Sequence, residues 1–282
     1  MAGRAAATRT AWCFRASALP ATPRPIPTRL GVNEGCRRTG ERASIRPVTA
    51  PFESWTVLPH GELTRVNERI VTVVGELQMP LLNLPRRMTA VRLASGDLVI
   101  FSAIALEEAD MAKLEAFGRP AFLVVPSQMH RLDAPSFVRR YPDIVVVAPR
   151  GGVEKIGKVV RVDTSSPDFR DSTVRYVEVA ADSALEVDGN DGMTVIVNDL
   201  IGDIHDESGI GGWLLRVMGF AGDDPHVPAP VKMLLGKHKS EVAVQFWRWA
   251  EREDLRRIIV SHGDPIETDP RAVLRTLAAS LE

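Results

Sequence analysis

The chain has 282 residues, with 35 basic and 36 acidic side chains, a net charge of −1 and 45% hydrophobic residues. That supports one large domain or two small ones, with a core of ordinary size. Nine arginines but only two acids, Glu34 and Glu41, fall in residues 1–50, so the remainder is net acidic; an acidic body argues against a phosphate-backbone partner, which needs a basic face.

Residues 1–50 are rich in Ala, Arg, Thr and Pro and show no apolar period. Acid-poor, Arg-rich composition resembles an organellar transit peptide, but Pro20, Pro23, Pro25 and Pro27 would break a targeting helix. The stretch is read as a disordered extension or one translated from a misplaced start, with 51–282 as the folded domain. No apolar run is long enough for a secretory signal or a membrane span. The expectation is a cytoplasmic protein with no membrane partner, with import into an organelle only if the tail is a genuine transit peptide. Cys13 and Cys36 both lie in the tail, which leaves the body without disulfides, thiolate metal sites or a cysteine nucleophile.

In the body, 69–74 reads as a strand, and 88–93 with 98–102 reads as a hairpin across Ala94-Ser95-Gly96-Asp97. Leu106, Met111, Leu114 and Phe117 have helical spacing, closed by Gly118. A buried strand is expected at 121–125, then a loop carrying His130, a short helix at 135–141 and a strand at 144–147. Further strands are expected at 159–162, 174–179 and 194–197. The segment 209–254 reads as largely helical with a loop at 222–230, and the last strand is 258–260. Asp269 with Pro270 forms a strong helix start, followed by an apolar stripe of Val273, Leu277 and Leu281 with Leu274 and Ala278 beside it. Pattern alone gives an α/β or α+β domain.

Two apolar runs end abruptly at residues that carry chemistry. Arg257-Ile258-Ile259-Val260 stops at Ser261-His262-Gly263, and Thr194-Val195-Ile196-Val197-Asn198 stops at Asp199. In layered α/β proteins sites form just past strand ends, so His262 and Asp199 are candidates to meet at one edge. A carboxylate after a buried run needs a metal or donors, although Asp199 could instead cap the next segment. His130 and Asp133 share the loop after 121–125, and Asp133 before Ala-Pro-Ser is also a natural helix cap. His205, in Gly202-Asp203-Ile204-His205-Asp206-Glu207, reads more readily as part of a solvated loop. His60 reads as structural, and His226 and His238 as surface residues. Ser261 lacks a Gly-x-Ser-x-Gly elbow, and Phe246-Trp247-Arg248-Trp249 reads as core packing on a helix.

Val260-Ser261-His262-Gly263 followed by Asp264-Pro265-Ile266 resembles the last histidine loop of the metallo-β-lactamase superfamily. Val195-Ile196-Val197-Asn198-Asp199-Leu200 is similar to the strand that delivers its bridging aspartate. A divergent branch of the superfamily adds a Met-Thr-x-Val-Arg-Leu strand from Met88, an Asp-Leu turn, a Pro-x-x-x-His segment ending at His130, Arg140-Tyr141-Pro142-Asp143, and Ala148-Pro149. The likeness covers 55–281. It implies an αββα sandwich with two similar halves, in which Val125, Asn198 and Val260 end neighbouring strands.

The departure is the metal motif. Metal-loaded members carry His-x-His-x-Asp-His, where this chain has Pro126-Ser127-Gln128-Met129-His130-Arg131-Leu132-Asp133, and no histidine lies between His130 and His205. The resemblance therefore implies a reduced site: His130, Asp199 and His262 holding no more than one Zn, Fe or Mn ion, with Asp199 and His262 as the catalytic candidates. Asp264 and Asp133 are second-layer candidates, Asp264 orienting the imidazole of His262. The implied function is a metallohydrolase-like enzyme acting on an ester, thioester or phosphoester; the alternative is a non-catalytic domain that has lost its metals and binds a ligand or partner.

Overall fold

The computed structural model describes residues 50–78, 83–204, 210–217, 219 and 221–282. The readings of residues 1–49 and of His205 lie outside the described residues. The elements in chain order are β1 (Thr64–Arg65), β2 (Ile70–Gln78), β3 (Asn83–Arg92), β4 (Asp97–Phe101), α1 (Glu108–Phe117), β5 (Arg119–Val124), α2 (Ala134–Arg140), β6 (Val145–Val147) and α3 (Val153–Ile156). They continue with β7 (Val174–Val179), β8 (Asp182–Gly189), β9 (Gly192–Ile196), β10 (Gly202–Asp203), α4 (Ile210–Val217), α5 (Ala229–Leu235), α6 (Lys239–Glu251), β11 (Leu255–Ile259), β12 (His262–Gly263) and α7 (Pro270–Ala279).

Strands β1 to β6 form one sheet in that order, and β11-β9-β8-β7 form a second. Each repeats one scheme. An antiparallel hairpin, β3/β4 or β8/β9, is extended by a parallel strand, β5 or β11, that follows a helix. Ile70, Val91, Phe101, Val124 and Val147 of the first sheet pack on Val174, Leu185, Val187, Ile196 and Ile259 of the second. On the outer face of the first sheet Met88, Ile100 and Leu123 meet Met111, Leu114 and Phe137 of α1 and α2. On the outer face of the second, Met193, Val195 and Ile258 meet Phe246, Trp249, Leu274 and Leu277 of α6 and α7. These four layers are the αββα sandwich.

Central strands buried on both faces read as continuous β-branched runs rather than alternating ones, which is why the runs ending at Val125, Val197 and Val260 stand out in the sequence. Asp269 starts α7 as expected, its Oδ1 accepting from Ala272 N at 3.1 Å. Two expectations fail. Residues 159–162 form no strand: Val159 N and Val160 N both donate back to Ile156 O, a turn closing α3, while Val160 still packs into the helix-side core. Strand β8 was not foreseen, because Asp182-Ser183-Ala184-Leu185-Glu186 is poor in strand-forming residues; pairing on both sides with β7 and β9 outweighs that propensity.

Candidate metal centre

Strands β4, β5 and β9 and the short β12 bring four loops to one end of the sandwich. Ser102 follows β4, His130 lies in the loop after β5, Asp199 follows β9, and His262 opens β12. Because β9 and β11 are parallel neighbours whereas β5 belongs to the other sheet, the expected row of three neighbouring strands is corrected: the site is assembled across the sandwich. His130, Asp199 and His262 nevertheless converge, their ligand atoms all within 4.8 Å of one another. Nε2 of His130 is 3.1 Å from Asp199 Oδ1 and 3.2 Å from His262 Nε2, and His262 Nε2 is 3.2 Å from the same oxygen.

The second nitrogens of the two imidazoles define what faces the centre. His262 Nδ1–H donates to Pro85 O at 2.6 Å; a carbonyl only accepts, so this nitrogen carries a proton, and whenever the ring is neutral its Nε2 lone pair faces inward. Nδ1 of His130 lies 2.8 Å from Ser102 Oγ, a group that donates or accepts. Ser102 occupies left-handed backbone at φ 58°, where a residue with a side chain is rare. On the carboxylate, Ser127 Oγ donates to Asp199 Oδ2 at 3.2 Å, leaving Oδ1 to the imidazoles. Asn198 Nδ2 donates to Ser127 Oγ at 3.2 Å and to Asp182 Oδ2 at 3.3 Å, extending a buried polar chain behind the aspartate.

Burial would raise the Asp199 pKa, but the charge and hydrogen bonds of His130 and His262 outweigh it and hold the carboxyl well below its usual range. Asp182 moves the other way, raised by burial and then by the Asp199 charge. Burial lowers the His262 pKa, but the hydrogen bond and charge of Asp199 leave it raised overall. In the metal-free protein the imidazolium of His262 therefore contributes stability that is complete below its unfolded pKa of about 6.5 and is lost as pH rises through the raised folded value. A metal competes for the same nitrogen. Its apparent affinity is expected to climb about tenfold per pH unit below the His262 pKa and to level off above it, which a competition titration at several pH values checks; an affinity flat with pH would remove His262 from the ligand set.

The donor set fits one divalent metal. Two imidazole lone pairs and an ionised carboxylate oxygen lie 3.1–3.2 Å apart, close to the roughly 3.3 Å separation of ligands at ~2.0–2.1 Å from a tetrahedral ion. Among the described residues this is the one such cluster of three or more potential ligands.

The remaining candidates fall elsewhere. Asp264 is exposed, and the group that orients the His262 ring is the Pro85 carbonyl instead. Asp133 is fully buried and makes no side-chain cap on α2. Its carboxylate accepts from Ala105 N at 3.1 Å and pairs with the buried Arg86, fastening the His130 loop to the loop after β4. His60 accepts at Nε2 from Glu107 N and donates from Nδ1 to Gly61 O, a structural role. His226 is half-buried rather than a surface residue, its ring nitrogens meeting Asp224 O and Gly219 O. His238 pairs with Glu241 in the first turn of α6. Ser261 is buried on Val197 O, and Phe246 and Trp249 are core. Sequence reasoning gave no role to Ser102, Ser127, Asp182, Asn198, Pro85 or Arg87.

No protein-family model matches the sequence, and no curated protein matches it. Solved structures do. FIM-1 from Pseudomonas aeruginosa, a metallo-β-lactamase in its mono-zinc form, is 14% identical with a TM-score of 0.52, over 79% of this chain and 96% of that one. DIM-1, a metallo-β-lactamase exposed to ceftazidime, is 11% identical with a TM-score of 0.55, over 80% and 100%. A metallo-β-lactamase from Erythrobacter litoralis is 12% identical with a TM-score of 0.52, over 80% and 100%. The chain has the fold of the metallo-β-lactamase superfamily, and it carries a His-Asp-His group able to hold a metal ion. No helix among the described residues is long and apolar enough to cross a membrane.

Proposed function

We propose that this protein is a divergent metallohydrolase with a single-metal site held by His130, Asp199 and His262, acting on an ester, thioester or phosphoester. The observation that carries the reading is the convergence of those three ligand atoms with the His262 lone pair turned inward by Pro85. A bound Zn²⁺, Fe²⁺ or Mn²⁺ would supply a water of lowered pKa and polarise a carbonyl or phosphoryl oxygen. Asp199, held ionised, keeps Oδ1 free to bind or to take a proton, while Ser127 fixes its other oxygen. His262 and His130 hold their rings edge to face, 5.1 Å between centroids.

One observation favours the second reading, a fold that has shed its metals and binds a ligand or partner. Without an ion the cluster is satisfied internally: Ser102 Oγ–H can donate to His130 Nδ1, and His130 Nε2–H to Asp199. Elemental analysis of protein purified without chelators separates the two. The metallohydrolase reading expects up to one equivalent of metal per chain. Two equivalents would overturn the single-site assignment, and none after loading with Zn²⁺, Fe²⁺ and Mn²⁺ would decide for the non-catalytic domain.

A further inference from the structure

Arg87 lies in β3, on the face shared with Val91 that looks towards the second sheet, whereas Arg86 shares the opposite face with Met88. It is only 6% exposed, as buried as the apolar core around it. From the first sheet its guanidinium crosses to the loop bearing His262. Nε donates to Val260 O at 3.1 Å and Nη2 to Gly263 O at 2.7 Å, the carbonyls on either side of Ser261-His262. Nη1 rests 3.4 Å from Thr72 Oγ1. Two residues earlier on the same face, Pro85 O accepts from His262 Nδ1. One short stretch of β3 therefore grips the His262 turn by the backbone before it, the backbone after it and the ring itself.

This grip is costly as pure scaffolding. The hydrogen bonds of Arg87 go to neutral oxygens, and burial outweighs the attraction of the exposed Asp264 carboxylate, holding the guanidinium pKa below its usual value; a buried cation so placed loses much of its hydration without full compensation. An apolar residue would fill the space between two sheets with no such penalty. A guanidinium does what an apolar residue cannot: its planar fork sets two acceptors at a fixed spacing. Opposite it, Gly263 sits at φ 114°, with room for no side chain because an added Cβ would strike Asp203 backbone. The turn is thus pressed from one side by β10 and drawn from the other by Arg87.

We propose that Arg87 is a positioning residue for His262, setting the imidazole at the distance from His130 and Asp199 that a metal requires. The assignment rests on the single-metal reading for its affinity readout, and on the metal-free ring for a readout independent of it. The experiment compares wild type, Arg87→Met and Arg87→Lys, at a temperature where each is folded, by Zn²⁺ competition titration, Co²⁺ absorption and the ¹⁵N shifts of the His262 ring. Arg87→Met is expected to weaken Zn²⁺ about 10–100-fold, the range for losing a group that orients a ligand. The Co²⁺ spectrum should change, and His262 should lose its fixed Nδ1–H form. Arg87→Lys, able to reach one carbonyl, should recover part of each; if Arg87→Met does not fold, the Lys variant carries the test by showing a smaller loss of the same kind. A fall in thermal stability with affinity, Co²⁺ spectrum and ring tautomer unchanged in the folded protein would overturn the proposal. If wild type binds no metal, the metal reading fails by itself, and the ring tautomer still decides: altered in the Arg87 variants it supports positioning, unaltered it refutes it.

Discussion

His262→Ala is expected to abolish metal binding while leaving the protein folded. On the single-metal reading the side chain would supply one of three ligand atoms, and the remaining His130 Nε2 and Asp199 Oδ1, 3.1 Å apart, would make a two-point site. Each lost ligand removes a lone pair or a charge from the ion, and a pair of ligands does not define a closed structural or catalytic shell. The fold should survive because His262 sits in a strand-end turn and its ring is held by a single backbone carbonyl, Pro85 O, in addition to the site itself. Circular dichroism should retain the native spectrum, and elemental analysis should find no stoichiometric metal. A variant that still binds one equivalent would show that the ion sits elsewhere.

Asp133→Ala is expected to cost about 3–5 kcal/mol of stability, because it strands the buried Arg86 without its counter-ion. A lost helix cap would cost about 0.5–2 kcal/mol, so the size of the effect separates the two roles. Arg86 is 7% exposed, and its Nε and Nη2 already lack partners; without Asp133 the whole guanidinium would be unpaired. The same substitution frees Ala105 N and loosens the junction between the His130 loop and the loop after β4. Urea unfolding of the variant measures the cost, and a loss below about 2 kcal/mol, no larger than that of a cap, would refute the stranded-charge account.

The three ligand candidates were legible because they lie just past the ends of buried β-branched runs, a signal contained within a few neighbouring residues. What surrounds them was not, because it is built from partners far apart in the chain. Asp133 looks like a cap in Asp-Ala-Pro-Ser, and nothing local reveals that Arg86 lies beneath it. Arg86-Arg87 reads as an isolated basic pair, yet the two side chains are buried on opposite faces of β3. Asp264, adjacent to the His-Gly turn, looked placed to orient the ring, but the acceptor comes from Pro85, on the other sheet. The sandwich itself came from resemblance: periodicity gave most strands, missed β8, and took the turn after α3 for a strand. Local pattern shows where a strand ends, and only the folded chain shows what waits there.

On the single-metal reading, the hydroxyl of Ser102 bears on what the centre would do when its ion is scarce. A carboxylate or carbonyl at that position would lock the neutral His130 ring in one proton arrangement, whereas a hydroxyl can reverse its direction when the proton moves from Nε2 to Nδ1. The empty and the loaded centre can then each satisfy every imidazole nitrogen of His130 with the backbone unchanged. On that reading folding would be uncoupled from loading, unlike small zinc domains in which binding free energy is folding free energy. Such a protein would stay intact through metal starvation and be refilled without being remade.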